Sequence, residues 1–361
     1  MEKNKGLSPD NNAVRKIVFP VKLGIEPMQR LLIADFADDV EYEALEPQLF
    51  NDSINGKGLR VLRYRKDKKV DVYWQPGVFV DINTFNIGAG IGDFEEVEMS
   101  ASCFEVDEYG INLHLAFNDK QNRTVEMRIK ENTPNNRRIR FLAPVGNDIE
   151  KPKQFFLAYM LDFDFVKKRG TSFSASIGDR HLKPASFPLL RNFKKVFFAR
   201  YSLRPSVGVM NPPMSIPLIF ESQFPAIKYV EGMNVSINKN GNIESINREY
   251  ENINYEIKFF PAFPNMLDLQ DNQPVKGKWE FKIAQDLITS GTFSLNNYNG
   301  VVSAEIDVTG LWKPVGLPFS LNLFTKIAGF FRKWPATYKW IATVDFNDSF
   351  KMSSSWIRKE K

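Results

Sequence analysis

Three acidic residues stand inside aromatic, strand-like segments, where a carboxylate can carry out acid-base chemistry. Asp162 and Asp164 interrupt an aromatic run at residues 154–166, and Glu280 lies beside Trp279. Burial in an apolar pocket raises a carboxyl pKa toward neutrality, where the group can both donate and accept a proton. These three acids are therefore the first candidates for catalysis on an apolar substrate, as an isomerase, a hydratase or a cyclase.

Two adjacent lysines, Lys194 and Lys195, indicate a different chemistry. Neighbouring ammonium groups in an apolar setting lower each other's pKa, and a neutral lysine amine can form a Schiff base with a carbonyl substrate. The segment Asn192-Phe-Lys-Lys-Val resembles the adjacent-lysine segment of the acetoacetate decarboxylase family. That resemblance implies a decarboxylase with Lys194 as the nucleophile. At helical spacing Lys195 points away from the apolar stripe and Lys194 lies at its flank, which favours a solvated basic face instead.

Aromatic side chains alternate only imperfectly with polar neighbours, so that some predicted strands carry rings on both faces. One face packs in the core, and the other needs a cavity or a partner, because large exposed aromatic patches are costly. The chain contains 31 Phe. We therefore expect it to bind a hydrophobic small molecule such as a lipid, an isoprenoid or a polyketide. The predicted ligand-binding residues are Tyr73, Trp74, Phe156, Tyr159, Trp279 and Phe281.

Alternation of apolar and polar residues predicts the strands that must position these side chains. Residues 111–129 form the clearest predicted hairpin, and residues 233–246 form another around Asn-Lys-Asn-Gly-Asn. Residues 165–177 and 292–306 are read as two further hairpins. The fold class is therefore mostly β, with antiparallel strands.

The second half of the chain repeats the order of elements in the first half. Ser174-Ala-Ser-Ile and a following Lys-Pro correspond to Ser303-Ala-Glu-Ile and its Lys-Pro, and a helical stripe follows each copy, at residues 189–197 and 323–334. This repetition predicts an internal duplication that gives two related antiparallel β-barrel-like domains, each with a closing helix.

The predicted domain boundaries follow from this duplication. Residues 1–15 are a disordered tail, residues 16–210 are the first β domain with an N-terminal extension, and residues 211–361 are the second β domain. The Pro-rich stretch at residues 211–217 marks the boundary.

This order of elements resembles the tandem lipocalin-like proteins of the AttH and carotenoid hydratase-like group. The resemblance implies lipocalin-like barrels and a cavity for a long apolar molecule, lying either within one barrel or between the two domains. No functional residue of that group can be assigned to a position in this sequence from the resemblance.

The two predicted helices lie in basic, aromatic windows. Residues 183–205 and 311–344 contain no carboxylate. Such a helix either packs over a sheet with a solvated basic side, or presents a surface that contacts an anionic membrane or steers an acidic ligand.

Composition and motifs argue against several other classes of function. Cys103 is the single cysteine, which leaves no thiolate metal cluster and indicates a reducing, cytoplasmic location. We expect no metal site and no cofactor. The net charge of +5 is modest and spread along the chain, which argues against nucleic acid.

Two segment-level patterns exclude further classes. Gly88, Gly90 and Gly92 lead into a run of acids, which would repel phosphate, so they indicate a close approach of backbones rather than a nucleotide loop. No window approaches 18 uncharged apolar residues, and residues 1–14 contain no apolar run of a signal peptide.

Overall fold

The computed structural model describes residues 14–85, 89–133, 138–144, 152–186 and 195–359. These residues form mostly antiparallel β-structure with two short α-helices, in agreement with the fold class predicted from alternation. In chain order the elements are β1 (Arg15–Phe19), β2 (Leu23–Glu26), β3 (Arg30–Ala37), β4 (Tyr42–Asp52), β5 (Gly56–Arg65), β6 (Val70–Trp74), β7 (Ile91–Glu96), β8 (Met99–Val106), β9 (Ile111–Asn118), β10 (Thr124–Glu131), β11 (Ile139–Leu142), β12 (Phe155–Lys167), β13 (Thr171–Ile177), β14 (Arg180–His181), β15 (Lys183–Pro184), β16 (Val196–Met210), β17 (Leu218–Ser222), β18 (Ala226–Val230), β19 (Met233–Ile237), β20 (Ile243–Tyr250), β21 (Ile253–Phe263), β22 (Val275–Ile283), β23 (Asp286–Tyr298), β24 (Val301–Val308), α1 (Phe319–Ile327), α2 (Phe330–Lys333), β25 (Tyr338–Asp345) and β26 (Lys351–Arg358).

The strands form three main sheets and one two-stranded ribbon. The ten-stranded sheet has the order β11-β12-β16-β3-β4-β5-β6-β7, with β15 paired to β3 and β2 paired to β16. The five-stranded sheet has the order β14-β13-β10-β9-β8, and the nine-stranded sheet follows the chain from β18 to β26. The ribbon pairs β1 with β17.

Two cores lie between these sheets. One face of the ten-stranded sheet packs on the five-stranded sheet, with Leu32 and Leu59 in one cluster with Leu113 and Ile129. The inner face of the nine-stranded sheet packs on β1, β12 and β16, so that one core contains residues from both halves of the chain. These contacts arise because alternation gives each strand an apolar face that must be covered.

The predicted domain boundary falls at the end of β16. There the indole Nε1 of Trp356 donates to the carbonyl oxygens of Met210 and Asn211, both at 3.2 Å. Residues 1–13 of the predicted tail lie outside the described residues, and β1 begins at Arg15.

Three of the predicted hairpins are confirmed. Strand β9 pairs with β10, β19 with β20, and β23 with β24, all antiparallel. The predicted hairpin at residues 165–177 is wrong, because β13 pairs with β10 in the five-stranded sheet. Strand β12 pairs with β11 as far as Phe163 along one edge and with β16 as far as Lys167 along the other.

One of the two predicted closing helices is confirmed. Helix α1 (Phe319–Ile327) lies in the second predicted window, and the first predicted helix is wrong in its described part. Val196 and Phe197 belong to β16, which pairs with β12 along one edge and with β2 and β3 along the other. Backbone hydrogen bonds to strands on both edges stabilise the extended conformation of β16. They contribute more than the packing of one amphipathic helix would contribute to a helical conformation. Residues 187–194 of that window lie outside the described residues.

Across the described ranges, no sheet closes into a barrel, which corrects the predicted β-barrel-like domains. The ten-stranded sheet ends at β11 and β7, and the nine-stranded sheet ends at β18 and β26. The nine-stranded sheet covers its apolar face with strands from the first half instead of with its own terminal strands. Closure is then not needed to bury that face.

A buried arginine joins the ten-stranded sheet to the five-stranded sheet. Arg63 on β5 is fully buried, and its guanidinium donates to Asp71 on β6 and to Asp119 in the β9–β10 turn, both at 3.0 Å. The rings of Tyr42 and Tyr73 lie on the guanidinium, each 4.6 Å from its central carbon. Because buried charges must be paired, this network fixes how the two sheets meet.

Gly92 on β7 makes room for this network. A Cβ at Gly92 would lie 2.3 Å from Oδ1 of Asp71, which also accepts a hydrogen bond from the backbone N–H of Asp93 at 2.9 Å. The sequence predicted a close approach of backbones in this segment, whereas at Gly92 the close neighbours are the side chains of Asp71 and Arg65.

No helix in the described part of the chain combines the length and the apolar character that a membrane crossing requires.

Candidate functional site

A group of polar side chains lies on the face of the ten-stranded sheet that points away from the five-stranded sheet, here called the far face. The register places Gln48 opposite Arg60 and Asp35 opposite Ala44 on this face, while their sequence neighbours Leu49 and Leu59 face the core between the two sheets. The far-face cluster consists of Glu26, Asp35, Glu46, Gln48, Arg60, Tyr64 and Arg200.

Glu46 is the buried centre of the far-face cluster. The Tyr64 hydroxyl donates to Oε2 of Glu46 at 2.5 Å, and Nε2 of Gln48 donates to Oε1 at 2.6 Å. Burial raises the pKa of Glu46, and these two hydrogen bonds offset only part of that effect. Glu46 is thus a carboxyl group that can hold a proton closer to neutral pH than an exposed glutamate does.

Arg60 is the half-buried cation beside Glu46. Its Nε donates to Oε1 of Gln48 at 2.6 Å, and the rings of Phe50 and Phe85 lie 4.6 and 5.1 Å from its guanidinium carbon. Burial lowers the pKa of Arg60 to about 10, although Glu26 and Glu46 oppose the shift. Among the described residues, Nη1 and Nη2 meet no hydrogen-bond acceptor. The guanidinium is therefore fixed by its Nε and two rings, and its two Nη groups remain as donors that could pair with an anionic group.

Two further carboxylates flank this pair. Asp35 forms an ion pair with Arg200, whose guanidinium lies 4.7 Å from the Phe198 ring. Glu26 accepts a hydrogen bond from Nε2 of Gln154 at 3.2 Å. Burial raises the pKa of both Asp35 and Glu26. The cluster therefore combines several charged groups with little water around them.

Aromatic side chains border the cluster on the side of β6 and β7. Trp74 and Phe94 lie 4.5 Å apart between ring centroids, and Phe85 lies 6.1 Å from Phe94. An open surface cleft of about 410 Å³ lies nearby at the ends of β4 and β5, but of the residues around Arg60 it touches only Phe50, and Leu49 and Ser102 place it on the side of the five-stranded sheet.

The arrangement can do two things chemically. The Nη edge of Arg60 can receive a carboxylate or phosphate in two parallel hydrogen bonds, with aromatic rings nearby for an apolar body. Glu46 and Tyr64 share a hydrogen bond in which Tyr64 is the donor, and burial together with the Glu46 carboxylate raises the pKa of Tyr64 well above its usual value. Glu46 is therefore the member of the pair that can exchange a proton with a bound molecule in contact with it.

The structure places the predicted acids apart from this cluster. Asp162 on β12 accepts a hydrogen bond from Nε of Arg204 at 2.6 Å, and Glu280 on β22 is partly exposed beside Lys282. Oδ1 of Asp164 accepts from the backbone N–H of Phe165 at 2.8 Å. Asp162 and Asp164 share one strand, and Glu280 belongs to a different sheet.

Lys194 lies outside the described residues. Within the described part of the chain, no group of His, Cys, Asp or Glu side chains has an arrangement that could hold a metal ion.

Four of the six predicted ligand-binding residues are buried. The Tyr73 hydroxyl donates to Asp93 at 2.8 Å, the Tyr159 hydroxyl donates to Asp286 at 2.6 Å, and Trp279 Nε1 donates to the Thr292 carbonyl at 3.3 Å. Phe281 lies under Gly208, where a Cβ would be 2.7 Å from its ring. Trp74 and Phe156 are partly exposed, and Trp74 borders the far-face cluster.

Sequence reasoning missed Glu46, Gln48, Arg60 and Tyr64. Arg60 and Tyr64 alternate with Leu59 and Val61, which fits a strand with one wet face, so the polar positions looked solvated. The available signal was Glu46-Pro-Gln48 inside an otherwise apolar run at residues 44–50. A charged residue at that place in a central strand indicates a buried polar group with partners.

Comparisons with known proteins give no relative for this chain. No family model matches it, and no match was found among curated proteins or among solved structures.

Proposed function

We propose that the protein binds a hydrophobic small molecule that carries an acidic head group, on the far face of the ten-stranded sheet. The observation that carries this proposal is the half-buried guanidinium of Arg60, which is held by Gln48 and by the rings of Phe50 and Phe85, while its Nη groups have no acceptor among the described residues. A carboxylate pairs with those groups, and the apolar body lies along Trp74, Phe85 and Phe94.

The first test is native mass spectrometry of the purified protein, followed by organic extraction and identification of what copurifies. We expect a lipid, isoprenoid or polyketide with a carboxylate or phosphate group. A second test uses dansyl-undecanoate, a fluorescent fatty acid, as the probe. Arg60→Gln should weaken its binding at least tenfold, because a bidentate charge-assisted contact is lost.

Arg358→Gln is the matched control for this test. Arg358 is also half-buried and lies over a ring, 5.6 Å from the centroid of Tyr338. Its substitution should change probe binding less than twofold. Equal losses in both variants, or a protein that neither copurifies with a ligand nor binds the probe, would count against the proposal.

An enzymatic role is the second candidate function, and the Glu46–Tyr64 pair favours it. A buried acid with a raised pKa beside a phenol can protonate an apolar substrate, as isomerisation, hydration or cyclisation requires. Incubating the extracted ligand with protein should then give a new product that Glu46→Gln abolishes. If Asp162→Asn, Asp164→Asn or Glu280→Gln abolishes it instead, the acids first predicted from sequence carry the chemistry. Borohydride trapping of an adduct at Lys194 would indicate the decarboxylase branch.

Three broader expectations belong to the same proposal. We propose that the two halves arose by duplication, supported by the repeated Ser-Ala-x-Ile and Lys-Pro segments, and that the chain is related to the lipocalin-like group. Superposition of experimental coordinates for residues 16–210 and 211–361 is the test.

A cytoplasmic location is supported by the single Cys103, and fractionation of cells tests it.

A further inference from the structure

Helix α1 turns an apolar stripe toward solvent. Phe319, Leu323 and Ile327 follow one another at intervals of four residues, so they share one side of the helix, and Phe330 continues the stripe into α2. All four are exposed, Phe319 to 82% and Ile327 to 75%. A surface helix of a globular protein normally places such a stripe inward.

The outward direction of this stripe is fixed by the opposite side of the helix. Leu321 and Thr325 are buried, and Phe324 packs on Phe331 with centroids 5.2 Å apart. Phe331 in turn packs on Phe141 of the ten-stranded sheet at 5.8 Å. The helix therefore already has a core-facing side, and the exposed stripe is a second apolar side.

Arg332 holds the helix in this orientation. Its Nη2 donates to the side-chain oxygen of Asn322 at 2.6 Å and to the backbone carbonyl of Asn322 at 3.1 Å. Both bonds go to neutral acceptors on α1, so the charge of Arg332 is not cancelled by a carboxylate here.

The charged residues of the chain segment that carries the stripe all have one sign. Lys313, Lys326 and Lys333 are exposed, and none has a carboxylate partner among the described residues. The sequence contains no acid between Asp307 and Asp345. An exposed apolar stripe accompanied by cations and no anions is complementary to an anionic lipid bilayer, in which apolar acyl chains lie beneath negatively charged head groups.

We propose that this helical patch, made of Phe319, Leu323, Ile327 and Phe330 with Lys313, Lys326 and Lys333, docks on the surface of an anionic lipid bilayer. The apolar side chains enter the interface between head groups and acyl chains, and the lysines lie among the lipid phosphates. A second copy of the chain fits less well, because face-to-face contact would bring the lysines together. The proposal stands independently of a ligand on the far face.

The test measures sedimentation of the full chain with vesicles of phosphatidylcholine and phosphatidylglycerol in a 7:3 ratio, and with vesicles of phosphatidylcholine alone. We expect binding to the anionic vesicles that weakens as salt is added. Replacing Lys313, Lys326 and Lys333 with Gln should lower the partition coefficient at least tenfold, since each lysine near an anionic surface contributes about fivefold. Phe319→Ser with Ile327→Ser should lower it by a similar factor.

Matched controls carry the same changes elsewhere on the surface. Ile227→Ser with Tyr229→Ser alters two β18 side chains that are each 73% exposed, and Lys228, Lys239 and Lys276 can be changed to Gln. These variants should bind anionic vesicles within twofold of the parent protein, and circular dichroism checks that every variant is folded. Equal binding to both vesicle types, equal losses in the controls, or self-association without vesicle binding would overturn the proposal.

Discussion

At the scale of single residues, Glu46 is the side chain whose surroundings most change its chemistry. It is buried in the ten-stranded sheet, and both carboxyl oxygens accept hydrogen bonds from side chains, Oε2 from Tyr64 and Oε1 from Gln48. A protonated Glu46 can keep both contacts, because its O–H can donate to the Tyr64 oxygen while its carbonyl accepts from Gln48. The site therefore tolerates the neutral acid, and ionisation costs free energy.

We predict that Glu46→Gln stabilises the protein at neutral pH, because glutamine has the shape and hydrogen bonds of the protonated acid. Burial raises the folded-state pKa above the ordinary value of 4.5, so the cost of ionisation is absent below pH 4.5 and is complete above the folded-state pKa. The gain in free energy of unfolding should therefore grow as pH rises through that window, by about 1.4 kcal/mol for each unit of pKa shift.

Urea unfolding of both proteins between pH 4 and pH 8.5 measures this difference. Glu280→Gln, which removes a partly exposed carboxylate beside Lys282, is the control, and its stability should follow that of the parent protein. A gain that is the same at every pH would contradict the burial of an ionised Glu46.

At the scale of secondary-structure elements, the sequence predicted pairs of strands better than it predicted sheets. The hairpin of β9 and β10 was readable because Leu113, Leu115 and Phe117 alternate with polar residues on a solvated face. Strands β4 and β5 look similar, but on their far face Glu46 and Gln48 are buried, and Arg60 and Tyr64 are half-buried rather than solvated. Alternation shows which residues share a face, and it does not show what covers that face.

The same limit explains why the described end of the helix predicted at residues 189–197 is a strand instead. Val196 and Phe197 fit a helical stripe and a strand equally well over so short a run. The pairing of β16 with β12, β2 and β3 favours the strand over the helix. These partners are distant in sequence, so the residues around Val196 do not specify them.

Arg63 gives the element-scale prediction, because it links strands of two sheets. Arg63→Met removes the buried cation that joins Asp71 to Asp119 and leaves them with the more exposed Arg65 and Arg123, so we expect a loss of up to about 3–5 kcal/mol in the free energy of unfolding. Thermal and urea unfolding measure it. Arg128→Met, in an exposed ion pair with Glu126, should cost less than about 1 kcal/mol. Similar losses in the two variants would show that the buried network does not join the sheets.

At the scale of the whole molecule, the two halves of the chain share one core. Phe155 on β12 lies 4.8 Å from the ring of Trp356 and 6.0 Å from the rings of Trp334 and Tyr338. The Ser206 hydroxyl and the Tyr255 hydroxyl lie 2.6 Å apart across the same contact. Since the nine-stranded sheet buries its apolar face against strands of the first half, we expect the two halves to unfold together.

Phe155→Ala tests this expectation. The cavity should cost about 3–5 kcal/mol, and amide hydrogen exchange should speed up throughout the nine-stranded sheet, including β19, which is remote in sequence from Phe155. Phe79→Ala, at a side chain exposed to 67%, should leave exchange unchanged. Faster exchange confined to β12 and its two neighbours would mean that the halves are separate folding units.

Strand β1 can form its native contacts only late in synthesis, because its partners lie far along the chain. The backbone N–H of Val18 donates to Oδ1 of Asn265 at 2.9 Å, across 247 residues of sequence. A ribosome adds about 5–20 residues per second, so Ile17, Val18 and Phe19 wait roughly 12–50 s for that acceptor to be made. Their strand partner β17 ends at Ser222, so for most of that wait they are an unpaired apolar segment, the kind on which a nascent chain aggregates or recruits a chaperone.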